Sequence, residues 1–219
     1  MAETPFALFC DSWLPPHLMS VYDELVHLTG FSAQVCTRTI LDDAPPWSEV
    51  FPIPKSGWAV TSPSKSYTAM APVSPAMVKV LRAKRPAFIH ALGGEMALYA
   101  SQYAALLGVP LVVSLAGREL TDWIRPDPYS AGASHWLSEK GRLIAAAARF
   151  IVCTAEMLEL AIECGVPEEK LFLYRRGIDL GRWPHTLETA RFDSRDRDML
   201  LVMRGRYLEE YGLKYGIKA

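Results

Sequence analysis

Short apolar runs alternate along this chain with longer stretches in which apolar residues recur at helical spacing. The runs at 6–10, 33–37, 87–90, 111–115, 149–153 and 171–174 are too short for helices and read as strands. Between them, residues 18–28 place Leu18, Val21, Tyr22, Leu25, Val26 and Leu28 on recurring positions, and Gly30 then stops the helix. Further helices are predicted over 76–83, 95–107 and 136–148, and from Thr154, a plausible N-cap, to about Cys164.

Strands separated by helical segments imply an α/β fold, a parallel sheet with helices on both faces. Ligands of such sheets bind at the C-terminal ends of strands, which puts the candidate site on the loops after His90, Leu115, Cys153 and Tyr174. Residues 42–75 carry Pro45, Pro46, Pro52, Pro54, Pro63, Pro72 and Pro75 and read mostly as a functional or mobile loop. The stretch between Leu115 and Trp136 is less regular. Three parts are expected: an N-terminal unit over 1–180, a mixed-charge linker over 181–198, and one strand and helix over 199–219. A single strand and helix cannot bury a core, so 199–219 reads as the start of an incomplete second domain.

Composition removes several classes of function. Half the residues are apolar and 21% are charged, as in a soluble globular protein. Net charge is −1, from 23 basic and 24 acidic residues, so no global field recruits nucleic acid. Cys10, Cys36, Cys153 and Cys164 form no CxxC pair and no zinc spacing; they read as reduced thiols of a cytosolic protein. The N-terminus lacks the features of a signal peptide, and no run approaches the about 18 apolar residues of a spanning helix. The expected location is the cytoplasm, with contact to the inner membrane face. No Ser/His/Asp or Cys/His set, P-loop or HExxH supports a hydrolase or kinase.

Five segments in order then carry a resemblance. They are the strand 86–91 with its His90, the segment Gly108-Val109-Pro110-Leu111-Val112-Val113-Ser114-Leu115-Ala116-Gly117-Arg118-Glu119, and the strand 149–154 ending in Thr154. Gly177-Ile178-Asp179 with Trp183-Pro184, and Gly205-Arg206 with Gly212, complete the set. Together they resemble the retaining family-4 glycosyltransferases of the GT-B type, in the exopolysaccharide-building branch. The resemblance covers residues 86–219, is looser over 5–38 and is absent from 42–75.

The resemblance implies one half of a GT-B fold: a Rossmann-like, acceptor-side domain truncated shortly after the donor domain begins, and inactive by itself. It implies a nucleotide sugar as donor, a glycan or lipid-linked acceptor, and no metal or other cofactor. Ala116 stands where the family carries a His that faces the donor sugar, and Tyr211 where it carries a diphosphate-pairing Lys. These departures keep a second reading open, a non-catalytic glycan-binding or partner-dependent domain. A nucleotide-sugar epimerase of similar design is a third, with a poorer match to the C-terminal motifs. In the truncated form, 199–219 is expected to pair with another copy or to be poorly ordered.

Donor binding falls to Gly205 and Arg206, whose guanidinium can chelate a diphosphate and neutralise leaving-group charge. On the acceptor side, paired Gly93 and Gly94 permit close approach to a ligand or simply make a tight turn. Glu95 binds sugar hydroxyls or complements a helix N-terminus. Gly117, Arg118 and Glu119 sit at a strand end; the alternatives are a cleft site, with Arg118 on an acceptor phosphate, or a loop salt bridge. Arg175, beside Arg176, faces the cleft or solvent, and His90 reaches the cleft or is a satisfied core residue. Trp13, Trp47, Trp58 and Trp123 read as loop residues, one or two of them able to stack on sugar rings.

Overall fold

A computed structural model describes residues 3–13, 19–40, 49–53, 73–124 and 133–177. The chain divides into two compact units, Met1–Ile178 and Asp179–Ala219, and all described residues lie in the first. The expected linker and the 199–219 segment lie outside the described residues.

The strands are β1 (Thr4–Trp13), β2 (Phe31–Ile40), β3 (Glu49–Pro52), β4 (Ile89–Leu92), β5 (Leu111–Ser114), β6 (Arg149–Val152) and β7 (Leu171–Leu173). The helices are α1 (Met19–His27), α2 (Pro75–Lys84), α3 (Gly94–Leu107), α4 (Arg118–Ile124), α5 (Ala133–Ala146) and α6 (Ala155–Glu163). The strands form one seven-stranded sheet in the order β3-β2-β1-β4-β5-β6-β7, with every neighbouring pair parallel. The chain builds outward from β1 to β3, then returns to β4 on the other side of β1. That reversal is the switch point at which open α/β sheets form their ligand crevice.

Alternation along β1 divides the core in two. Ala7 and Phe9 join the larger cluster, with Met77 and Leu81 of α2, Tyr103 of α3, Leu120 of α4, Leu143 of α5 and Ala161 of α6. Phe6, Leu8, Cys10 and Trp13 face the other way, into a smaller cluster against which Leu25 of α1 packs. Helices therefore lie on both faces, as expected. Each fully buried Phe or Leu in the larger cluster contributes about 1.5–3 kcal/mol.

Local caps fix several helix starts. Ser74 accepts from Met77 N at 3.4 Å, and Pro75 sits in the first turn of α2, where its missing N–H costs nothing. Thr154 caps α6, accepting from Met157 N at 3.1 Å, as its position predicted. Gly30, with φ 80°, follows α1.

The structure corrects several expectations. Residues 49–52, read as loop, form β3 at the sheet edge, where Pro52 is tolerated. The irregular stretch after Leu115 contains the helix α4. Strand β4 runs through Leu92, so His90 lies within the strand and does not end it. Trp13 ends β1 and Trp123 lies in α4, both buried, so neither is a loop residue able to stack on a sugar ring. Trp47 and Trp58 lie outside the described residues. The four cysteines are free thiols, and burial pushes Cys10 up to about 12.

Candidate functional site

The turns after β4, β5, β6 and β7 line up along the C-terminal edge of the sheet and are bonded to one another. Gly93 N donates to Ser114 O at 2.8 Å, Leu115 N to Ile151 O at 3.0 Å, and Tyr174 N to Val152 O at 2.9 Å. Gly93 has φ 85° and ψ 153°, a conformation essentially restricted to glycine, and it offers α3 no side-chain cap. Gly117 has φ 90°, and its carbonyl accepts from Leu120 N and Thr121 N, both at 3.1 Å, to start α4.

Glu119 connects these two turns. Its Oε1 accepts from Gly94 N and its Oε2 from Ala116 N, each at 3.0 Å. A Cβ added at Gly93 would lie 3.1 Å from Oε1, tighter than an ordinary contact, so the carboxylate would have to shift as well as the backbone strain. Glu119 sits at the strand end where it was expected. Its carboxylate is bound to main chain from both turns.

Each remaining predicted residue has a place along this edge or beyond it. Gly93 and Gly94 make the strand-to-helix turn, and Glu95 is exposed in the first turn of α3, where negative charge complements the helix dipole. Arg118 is the first residue of α4. Arg175 is exposed beyond β7. The carboxyl of Glu156 is held below its ordinary range by its own backbone N–H, then by Thr154, with the Arg175 charge acting in the same direction. Arg175 thus belongs with the α6 side of the edge. Arg176 turns elsewhere, to an ion pair with Glu24 of α1 at 3.7 Å. Gly205 and Arg206 lie outside the described residues.

His90 faces away from the large core and its Nε2 lies 2.8 Å from Ser114 Oγ on the neighbouring strand. Burial, with the Arg176 charge adding to it, lowers His90 to about 4, so the ring is neutral at pH 7. His90 is a satisfied histidine of the sheet face.

Sequence reasoning missed a concavity of about 420 Å³ on that face, floored by alternate residues of β4 to β7 such as Leu92, Val112, Ile151 and Phe172. The period-two pattern of those strands was the available signal. Its lining is mostly apolar, and two of its few polar pairs, His90–Ser114 and Arg176–Glu24, bond to each other. His90 lines this concavity, while the glycine turns and Glu119 lie on the edge. Among the described residues, no group of three or more His, Cys, Asp or Glu side chains is placed to hold a metal ion. No described helix is long and apolar enough to cross a membrane.

An all-parallel sheet with a switch point and glycine turns along its C-terminal edge defines a Rossmann-like α/β unit. The chain belongs to the glycosyl transferase 4-like domain family, whose model matches residues 15–177. The match extends through 42–75, where the sequence motifs had found no likeness.

Among solved structures, the fold is similar to UGT2 of Phytolacca americana complexed with UDP-2fluoro-glucose and pterostilbene. That match has 14% identity and a TM-score of 0.54, and covers 81% of this chain and 55% of the other. HepE of Anabaena in complex with UDP matches with 14% identity and a TM-score of 0.51, covering 81% of this chain and 45% of that one. A sucrose-phosphate synthase from Thermosynechococcus elongatus matches with 14% identity and a TM-score of 0.50, covering 80% and 91%. The chain spans about half the length of the first two of these structures. No curated protein matches the sequence.

Proposed function

We propose that this chain supplies the acceptor-side unit of a retaining, metal-independent glycosyltransferase. It moves a sugar from a nucleotide-sugar donor to a glycan or a lipid-linked glycan in polysaccharide biosynthesis. The observation that carries this reading is the C-terminal edge itself, where glycine turns from β4 and β5 meet at the side of the switch point within a glycosyl transferase 4-like domain. UDP in the HepE structure and UDP-2fluoro-glucose in the UGT2 structure support a nucleotide-sugar donor.

In this reading the anomeric carbon–oxygen bond to the diphosphate breaks as a bond to the acceptor hydroxyl oxygen forms on the same face. The hydroxyl proton leaves with the diphosphate. Arg206, beside Gly205, neutralises the leaving diphosphate, a role that bidentate guanidinium contacts suit. Gly93, Gly94, Gly117 and Glu119 shape the acceptor side, and Arg175 supplies positive charge beyond β7. Contact with the inner membrane face through a lipid-linked acceptor, and self-association through 199–219, are parts of the same proposal.

A transfer assay of this chain joined to a donor-side domain, with isotope-labelled nucleotide sugars and glycan acceptors, tests it, the anomeric configuration of the product being read by NMR; the chain alone is expected to show no robust turnover. Transfer with the donor's configuration kept is the expected result. Epimerisation or hydrolysis of the donor without transfer contradicts it. A second reading, a glycan-binding domain without turnover, is favoured by Ala116 at the position where the resemblance expects His, with its amide bound to Glu119. Glycan binding with no transfer from any donor is its signature.

A further inference from the structure

The amide groups at the ends of β4 and β5 are already committed. Gly93 N goes to Ser114 O, Leu115 N to Ile151 O, and Gly94 N and Ala116 N to the two oxygens of Glu119. Helix α3 begins at this point, and at 14 residues it carries a substantial dipole with its positive end at Gly94. Backbone N–H groups converging at such a terminus are what a phosphate normally occupies. Here an internal carboxylate, delivered from α4, 25 residues along the chain, takes Gly94 N of that terminus together with Ala116 N of the neighbouring turn.

We propose that Glu119 is a positioning and specificity-determining residue: it locks the two glycine turns together and, as a built-in anion, excludes phosphate from the acceptor edge. Resting on the acceptor-side reading above, this assigns the group received at the β4–β5 edge to an uncharged, hydroxyl-bearing one, a sugar ring. A carboxylate accepts hydrogen bonds and donates none, so it favours hydroxyls and repels a phosphate oxygen. Any anionic part of a lipid-linked acceptor must then lie away from this edge, on the Arg175 side.

The geometry also explains the glycine pair. Gly93 is held in a glycine-only conformation, and a Cβ added there would lie 3.1 Å from Oε1, so a larger residue would crowd the carboxylate. Thr154 at the start of α6 provides the contrast, capping its helix from its own position and linking no second turn.

The test uses the full chain, with inorganic pyrophosphate as the anion probe and amide NMR as the readout. In the native protein, pyrophosphate leaves the Gly94 and Ala116 signals unmoved. Glu119→Ala frees both donors and removes the charge, and its pyrophosphate affinity rises at least about tenfold, with the Gly94 and Ala116 amides shifting most. Glu119→Gln removes the charge but keeps an oxygen acceptor, so it preserves the fold and gains less pyrophosphate affinity than Glu119→Ala. Pyrophosphate binding at these amides in the native protein, or a folded Glu119→Ala without gained affinity, overturns the proposal. Pyrophosphate binding is read on the native protein, so it decides even where a variant fails to fold. None of these readouts requires sugar transfer, so failure here is distinct from failure of the glycosyltransferase reading.

Discussion

Helices α3 and α6 both begin one turn beyond a strand of the same sheet, yet they are started in different ways. Thr154 caps α6 locally with its own hydroxyl, three residues from the amide it serves. Helix α3 starts at Gly93, which has no side chain, and receives its carboxylate from Glu119 on α4. A local cap stabilises one helix. A cap borrowed from a distant element couples two turns, so that a change at either is felt at both. The two turns of the β4–β5 edge are therefore joined through one side chain, whereas the start of α6 is capped from its own residue.

The largest expected effect breaks that link directly. Gly93→Ala combines a strained backbone with a Cβ at 3.1 Å from Glu119 Oε1, and should cost about 3 kcal/mol in urea unfolding. In a Glu119→Ala background the cost should fall, because the crowding is removed while the strain remains; equal costs in both backgrounds would show the two residues uncoupled.

Acid comes next. His90 titrates at its ordinary 6.5 when unfolded and at about 4 when folded, so the unfolded state takes up the proton first as the pH falls. The stability is fully present above 6.5 and is lost progressively down to about 4, amounting to about 2 kcal/mol at pH 5. A His90→Gln variant should show a flatter stability profile between pH 7 and 5, and an unchanged profile would contradict the assignment.

Glu119→Ala removes two charge-assisted bonds at the protein surface and should cost about 1.5 kcal/mol, with faster hydrogen exchange at both Gly94 and Ala116. Thr154→Ala should be the mildest, at about 1 kcal/mol, with faster exchange confined to the start of α6. Loss of protection at Gly117 or Gly94 in the Thr154 variant would remove the distinction between the edges.

The sequence carried the alternation of elements well, because local signals fix it. Gly108 ends α3 with φ 68°, Thr154 starts α6, and the apolar runs at 111–114 and 149–152 are strands within a residue of their expected limits. Strand β3 was missed because four residues ending in Pro52, within a proline-rich stretch, offer little pattern, and only the register with Gln34 to Thr37 makes them a strand. Helix α4 is only seven residues long, and its start depends on Gly117 and on Glu119 turning back to Ala116. The glycine pair and the acidic residue were each legible as candidates. Their joining was not, since no local pattern reports a bond between Gly94 and Glu119, nor one between His90 and Ser114.

The acceptor-side role is tested most directly by amide NMR of the chain titrated separately with glycan fragments and with UDP. The prediction is that glycan shifts the signals of residues 93–95 and 116–119, while UDP leaves them in place. If UDP moves those signals and glycans do not, the β4–β5 edge is a nucleotide site and the acceptor-side reading is wrong.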